Sequence, residues 1–181
     1  LLIGLILSIA CIFCSGFKAH FTILGHLPNS DLYLDIDSFQ RAIEVPFVKV
    51  VRYSGSINYA TKACFKNKLC ETLGINLLKE LRYHESQNEN QVNVGKKNCS
   101  SHLSNLNFKH LVIDFSALTN IDASSIVLLT ELIKDFNKLN VQVSLVCFST
   151  RLIEILIRNE FEFMKHIYPT IHDAIGFREK A

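Results

Sequence analysis

The run His110–Leu118, "HLVIDFSAL", most narrows what this chain can fold into. Leu111, Val112, Ile113 and Phe115 leave almost no side of a strand fit for water, so both faces need cover, as in the centre of a parallel sheet. The next segment supplies such cover. From Asp122 onward, Ile126, Leu129, Ile133 and Phe136 recur at helical spacing on one stripe, with Glu131, Lys134 and Asp135 off it. "VQVSLVCF", Val141–Phe148, then predicts a second strand, and "STRLIEILIRNEF" predicts a helix opening on Ser149 or Thr150 as its cap. Before the central run, Phe47–Tyr53 with Val48, Val50 and Val51 reads as a strand ended by Gly55. Ile57–Leu73 then reads as an amphipathic helix through Ile57, Ala60, Cys64, Phe65 and Leu69. "TIHDAIGFREK" closes the chain with a further helix through Ile171, Ala174 and Ile175. Strands alternating with helices on short connections predict an α/β fold, a partly parallel mixed sheet with helices packed on it.

The two ends of the central region differ in character. Between Pro28 and Pro46 the alternation of Leu32 and Leu34 with Tyr33 and Asp35 predicts one short strand inside a connecting stretch. Residues 76–107 are rich in Asn, Ser, Gln and Lys and lose their apolar period after Tyr83, which predicts a polar insertion, about 84–107, that adds little core. Its "NCSS" fits the N-glycosylation pattern, which a cytosolic loop leaves silent.

Ahead of all this stands "LLIGLILSIACIFCSGF", Leu1–Phe17, without a charge. As a helix it spans roughly 26 Å against a hydrocarbon core of ~30 Å, which predicts the end of a transmembrane helix. It has neither the basic start nor the initiator Met of a signal peptide, and a chain opening on Leu1 within an apolar run is expected to be the C-terminal part of something longer. Lys18 directly after the span favours the cytoplasmic side for the rest of the chain.

Composition excludes several classes of function. A formal charge of +2 over 181 residues, with no basic block, argues against a nucleic-acid partner. Cys11 and Cys14 lie inside the apolar run as small hydrophobes, and the other four of the six cysteines are scattered, so reduced thiols are expected and no metal site. The seven histidines form no ligand pattern, and no phosphate loop, nucleophile elbow or acid-base pair is present. No enzyme and no cofactor are expected.

The stretches "HFTILGHLPNSDLYLDI", "VKVVRYSGSINYATKACFKNKL" and "LVIDFSALTNIDASSIVLLTEL" together resemble the STAS domain at the C-terminus of SulP-type anion transporters, over essentially the whole chain from Leu1 to about Phe177. The resemblance implies a last transmembrane stretch at 1–17, a connector at 18–30 and a STAS domain at 31–178. It further implies a secondary-active transporter of sulfate, chloride, bicarbonate or oxalate, multi-pass in the plasma membrane, with the STAS domain cytoplasmic. Such transporters are homodimers in which this domain serves dimerisation, trafficking and regulation, with cytosolic regulatory proteins as further partners. Phe21, Ile23 and Leu24, expected to be exposed near the connector, are then interface candidates. The transport residues would lie upstream of Leu1.

The loop before the second long helix is the other candidate site. In anti-sigma-factor antagonists, which share the fold, it reads Asp-Ser-Ser-Gly and its first Ser is phosphorylated at the helix start. Here Asp122, Ala123, Ser124 and Ser125 occupy it, so Ala123 stands at the phosphorylated position and Ser125 at the Gly. Asp122 is expected to cap the helix. A regulatory or nucleotide-contacting role for Thr119, Ser124 or Ser125 is the alternative at the loop, and a stand-alone binding module of the antagonist kind is the alternative for the whole chain.

Overall fold

In the computed structural model, residues 3–8, 20–83 and 106–176 are described. A single six-stranded sheet has the order β2-β1-β3-β4-β5-β6, with β1 at His20–His26, β2 at Tyr33–Asp35, β3 at Val48–Ile57, β4 at His110–Ile121, β5 at Gln142–Val146 and β6 at Ile167–Tyr168. β1 runs antiparallel to both its neighbours, whereas β3, β4, β5 and β6 are mutually parallel. The crossovers are made by α1 (Lys62–Leu73), a further helical stretch over 77–83, α2 (Ala123–Lys138) and α3 (Thr150–Arg158), and α4 (Ile171–Gly176) comes after β6. This is the mixed α/β sheet expected.

The continuous apolar run of β4 is used on both faces. Leu111, Ile113 and Phe115 join Val51, Tyr53, Val143 and Leu145 in the larger core, where α1 adds Phe65 and Leu69, α2 adds Ile126, Leu129, Ile133 and Phe136, and α3 adds Leu152 and Leu156. Val112 points the other way, into a smaller cluster with Leu24, Tyr33, Val48, Val50 and Val146, covered by Ile171 and Ala174 of α4. Full burial of a large apolar side chain contributes roughly 1.5–3 kcal/mol, so the face carrying three helices supplies most of the stabilisation. Tyr53 lies at the centre of that face, with Phe65 at 4.9 Å edge-on and its hydroxyl donating to the Ser56 carbonyl at 2.9 Å.

Several expectations are corrected. The connector expected at 18–30 holds a full strand, β1, seven residues long and hydrogen-bonded on both edges. Its alternation is hidden because both faces are covered and because Gly25 interrupts it; the chain at Ala42 and Ile43 crosses so closely that a Cβ on Gly25 would stand 3.0 Å from backbone atoms. In β2 the phase is opposite to the expected one, since Tyr33 is buried and Leu32 is exposed. Gly55 does not end β3. The strand runs through it to Ile57 with register shifts on either side, and a φ of 138° explains why glycine stands there. Phe47 lies before the strand, with a φ of 61°. Helix α1 begins at Lys62, after an Asn58 turn in which the side-chain Oδ1 accepts from the Ala60 and Thr61 amides at 3.0 Å.

Residues 3–8 are helical with Ile3, Leu5, Ile6 and Leu7 exposed. Among the described residues no helix is long and apolar enough to cross a membrane, and the span expected over 1–17 lies for the most part outside them. Most of the insertion expected at 84–107 lies outside them as well.

Candidate functional site

The loop between β4 and α2 is built around one carboxylate. Asp122, extended at φ −107° and ψ 169°, is the N-cap of α2, as its placement in the sequence predicts. Its Oδ1 accepts from the Ser125 amide at 2.8 Å, the Ser125 hydroxyl at 2.6 Å and the Ser124 hydroxyl at 3.0 Å. Its Oδ2 accepts from the Tyr59 amide at 2.7 Å. Burial pushes the Asp122 carboxyl up, but the Ser125 hydroxyl, the Ser125 and Tyr59 amides and the Ser124 hydroxyl together outweigh it, and the carboxyl titrates below the ordinary range. Asp122 therefore fastens the turn before α1 to the start of α2.

The four loop residues do not occupy equivalent environments. Ser125 is fully buried, Ser124 is half-buried and Ala123 exposed. Thr119 lies exposed near the end of strand β4, where its hydroxyl donates to the Gly55 carbonyl at 3.1 Å. Asp122, Ser124 and Ser125 thus form one hydrogen-bonded unit, and Thr119 belongs to the β3–β4 pairing beside it. Tyr59, missed from the sequence, completes the end of the domain: it is 75% exposed and the Lys62 ammonium lies 4.6 Å from its ring centroid.

The exposure expected of the interface candidates Phe21, Ile23 and Leu24 is only partly found. Leu24 is only 2% exposed, inside the smaller cluster. Phe21 and Ile23 are half-buried against the larger core, with the Phe21 ring 5.0 Å from Tyr53 and 5.2 Å from Phe65. The reason is topological: β1 is an inner strand between β2 and β3, and its side chains are used within the protomer. Large apolar side chains stand exposed instead at Leu32, Phe39, Ile43 and Phe47.

A second polar constellation, also missed from the sequence, sits on the sheet face of the smaller cluster. Asp114 on β4 is 1% exposed and accepts from the Arg52 Nε of β3 at 2.7 Å and from the Ser116 amide at 2.8 Å. Beside it Cys147, at the end of β5 with φ 62°, donates to the Pro169 carbonyl at 3.4 Å. Burial first, then the Asp114 charge, push its thiol up to about 11, so at neutral pH it is protonated and a poor nucleophile. Among the described residues no three of His, Cys, Asp and Glu converge as a metal site requires.

The comparisons with known proteins accord with this architecture. The family model for the STAS domain matches residues 40–174. The chain is 24% identical over 192 residues to the sulfate transporter of Equus caballus, a match covering 100% of this chain and 26% of that protein. It is 25% identical over 179 residues to sulfate transporter 1.1 of Arabidopsis thaliana, over 97% of this chain and 24% of that one. The chain thus spans about a quarter of the length of these relatives. Its fold superposes on the murine solute carrier 26 family member A9 anion transporter with a TM-score of 0.74 at 20% identity, over 99% of this chain and 25% of that one. An anti-sigma factor antagonist from Mycobacterium paratuberculosis shares the fold more distantly, with a TM-score of 0.50 at 14% identity. With the family match extending over most of its length, from the loop after β2 into α4, the chain belongs to the STAS domain family.

Proposed function

We propose that this chain is the C-terminal part of a secondary-active anion transporter of the sulfate class, with residues 1–17 ending its membrane region and the STAS domain serving dimerisation, trafficking and regulation. The observation that supports this best is the extent of the sequence match. It takes in the residues ahead of the family model, including the uncharged apolar run, and covers 99% of this chain against the human sulfate transporter. The substrate would be a small anion such as sulfate, chloride, bicarbonate or oxalate, handled by helices upstream of this segment near the bilayer midplane. In this reading the domain is cytoplasmic and performs no catalysis of its own.

The loop favours a structural over a phosphate-accepting role. Ala123 has no hydroxyl, and the hydroxyls of Ser124 and Ser125 are both spent on Asp122. This weakens the stand-alone, phosphorylation-switched alternative.

The test is to read the transcript upstream of the Leu1 codon, express the whole frame and measure labelled sulfate uptake with competing chloride, bicarbonate and oxalate. A continuous frame with further apolar spans and competed uptake supports the proposal. A start codon within a few residues of Leu1 leaves the binding module instead.

A further inference from the structure

The sheet face that carries the smaller cluster turns polar where β3 passes Val50. Arg52 is in register with Thr22 of β1 on one side and with Asp114 of β4 on the other, and the next pair along the same face is His20 with Ser54. Such residues stand about 5 Å apart across the strands and about 7 Å along them, so Thr22, Arg52, His20 and Ser54 form one square of side chains. His20 is exposed, Thr22 and Ser54 are half-buried, and the Arg52 side chain is 38% exposed.

Asp114, 1% exposed, fixes the guanidinium without using it up. Its Oδ2 accepts from Arg52 Nε at 2.7 Å, and its Oδ1 is turned to the Ser116 amide. A guanidinium has five N–H donors, and the edge formed by Nη1 and Nη2 matches the two oxygens of a carboxylate. Among the described residues no acceptor meets that edge, and the Thr22 and Ser54 hydroxyls have no hydrogen-bond partner. An arginine anchored at Nε has little rotamer freedom left to lose, so an anion arriving at its outer edge meets a preorganised group. Asp35 of β2, within electrostatic reach of His20, already holds the Ser38 hydroxyl and the Asp37 amide.

We propose that Arg52, with the Thr22 and Ser54 hydroxyls, binds a small planar oxyanion of the carboxylate type, its two oxygens on Nη1 and Nη2. The buried Asp114 carboxylate offsets part of the guanidinium charge, which sets the expected affinity in the millimolar range. The site goes beyond the transporter reading and does not depend on it: binding is measured without transport, so either can fail alone.

The test is a titration of the full chain, isotope-labelled on nitrogen and held in a neutral detergent, with oxalate, and with chloride at equal ionic strength as the control. Magnetic resonance of the backbone amides and the arginine Nε–H groups reports where each anion binds. The expected result is a saturable oxalate response centred on Arg52 Nε–H and the amides of Thr22 and Ser54, with no saturable response to chloride. Arg52→Lys keeps the charge and loses the planar edge, and should weaken oxalate binding at least about tenfold, the worth of one charge-assisted hydrogen bond. That variant also disturbs the pair with Asp114. The double variant Thr22→Val with Ser54→Ala leaves the pair intact and should weaken binding at least about threefold. An oxalate response that is absent, that chloride reproduces, or that centres on other residues overturns the proposal. Undiminished binding in either variant overturns it as well.

Discussion

Replacing Asp122 by Ala tests the loop most directly. The cap itself contributes about 1 kcal/mol. The Ser125 hydroxyl, fully buried and donating at 2.6 Å, loses its acceptor, and leaving a buried donor unsatisfied costs about 1–3 kcal/mol. The Tyr59 amide is exposed and water replaces its partner at little cost. The sum is roughly 2–4 kcal/mol, or a fall in Tm of about 5–15 °C for a domain of this size. Urea unfolding followed by circular dichroism measures it. The double variant Asp122→Ala with Ser125→Ala removes donor and acceptor together, and should recover about 1 kcal/mol or more of the loss relative to additivity. The sign with pH is fixed as well: the folded carboxyl titrates below its unfolded value of ~3.9, so its contribution is complete above pH ~4 and is lost as pH falls through the folded value. Asp122→Asn should flatten that acid limb. A loss under about 0.5 kcal/mol for Asp122→Ala, well below the usual cost of a lost cap, would refute the view that this carboxylate holds the two loops together.

Packing and charge fix three further outcomes. Gly25→Ala should destabilise by about 1–3 kcal/mol, because the new Cβ meets backbone of Ala42 and Ile43 at 3.0 Å, and thermal unfolding reads it. Arg52→Leu leaves the buried Asp114 without its cationic partner, keeping the Ser116 amide, and should cost about 2–4 kcal/mol, below the full cost of a broken buried pair because Arg52 is partly exposed. Adding Asp114→Leu should return part of that loss, and strict additivity of the two substitutions would count against a coupled pair. In peptide mapping after brief iodoacetamide treatment at neutral pH, exposed Cys64 should alkylate well before Cys147, and equal rates would contradict a half-buried, protonated thiol at Cys147.

Much of the fold was legible because the central strands and helices carry one dominant period each. Leu111, Val112 and Ile113 announced a doubly covered strand, and the stripe Ile126, Leu129, Ile133, Phe136 announced its covering helix, all of them buried. The failures lie where packing and not pattern decides. β1 has apolar residues on both faces, because Ile23 serves one core and Leu24 the other, so no alternation marks it. Tyr33 displaces Leu32 from the interior because its ring finds His26 at 5.3 Å across the strand pair. The Arg52–Asp114 pair was invisible because its residues are 62 apart in sequence and meet only through the parallel register of β3 and β4.

The loop shows how a few substitutions change what a helix start can do. A phosphate at a helix N-terminus is stabilised by free amides and by the partial positive charge there. Here the Ser125 amide is already committed. Asp122 takes the Ser125 amide and draws in the Ser124 and Ser125 hydroxyls, while its other oxygen takes Tyr59. A phosphate on Ser124 would stand against this carboxylate, which lies 3.0 Å from the Ser124 hydroxyl oxygen, and like charges at such range disfavour each other. Ser125, fully buried, could be reached only by opening the start of α2. The same residues that would weaken a phosphate switch make a latch between the turn before α1 and the start of α2, and that latch holds Tyr59 outward. Treating the purified chain with a broad-specificity serine kinase should therefore leave Ser124 and Ser125 unmodified in the wild type. Phosphopeptides at Ser124 should appear after Asp122→Ala, and their appearance in the wild type under native conditions would show that the loop opens more readily than its hydrogen bonds allow.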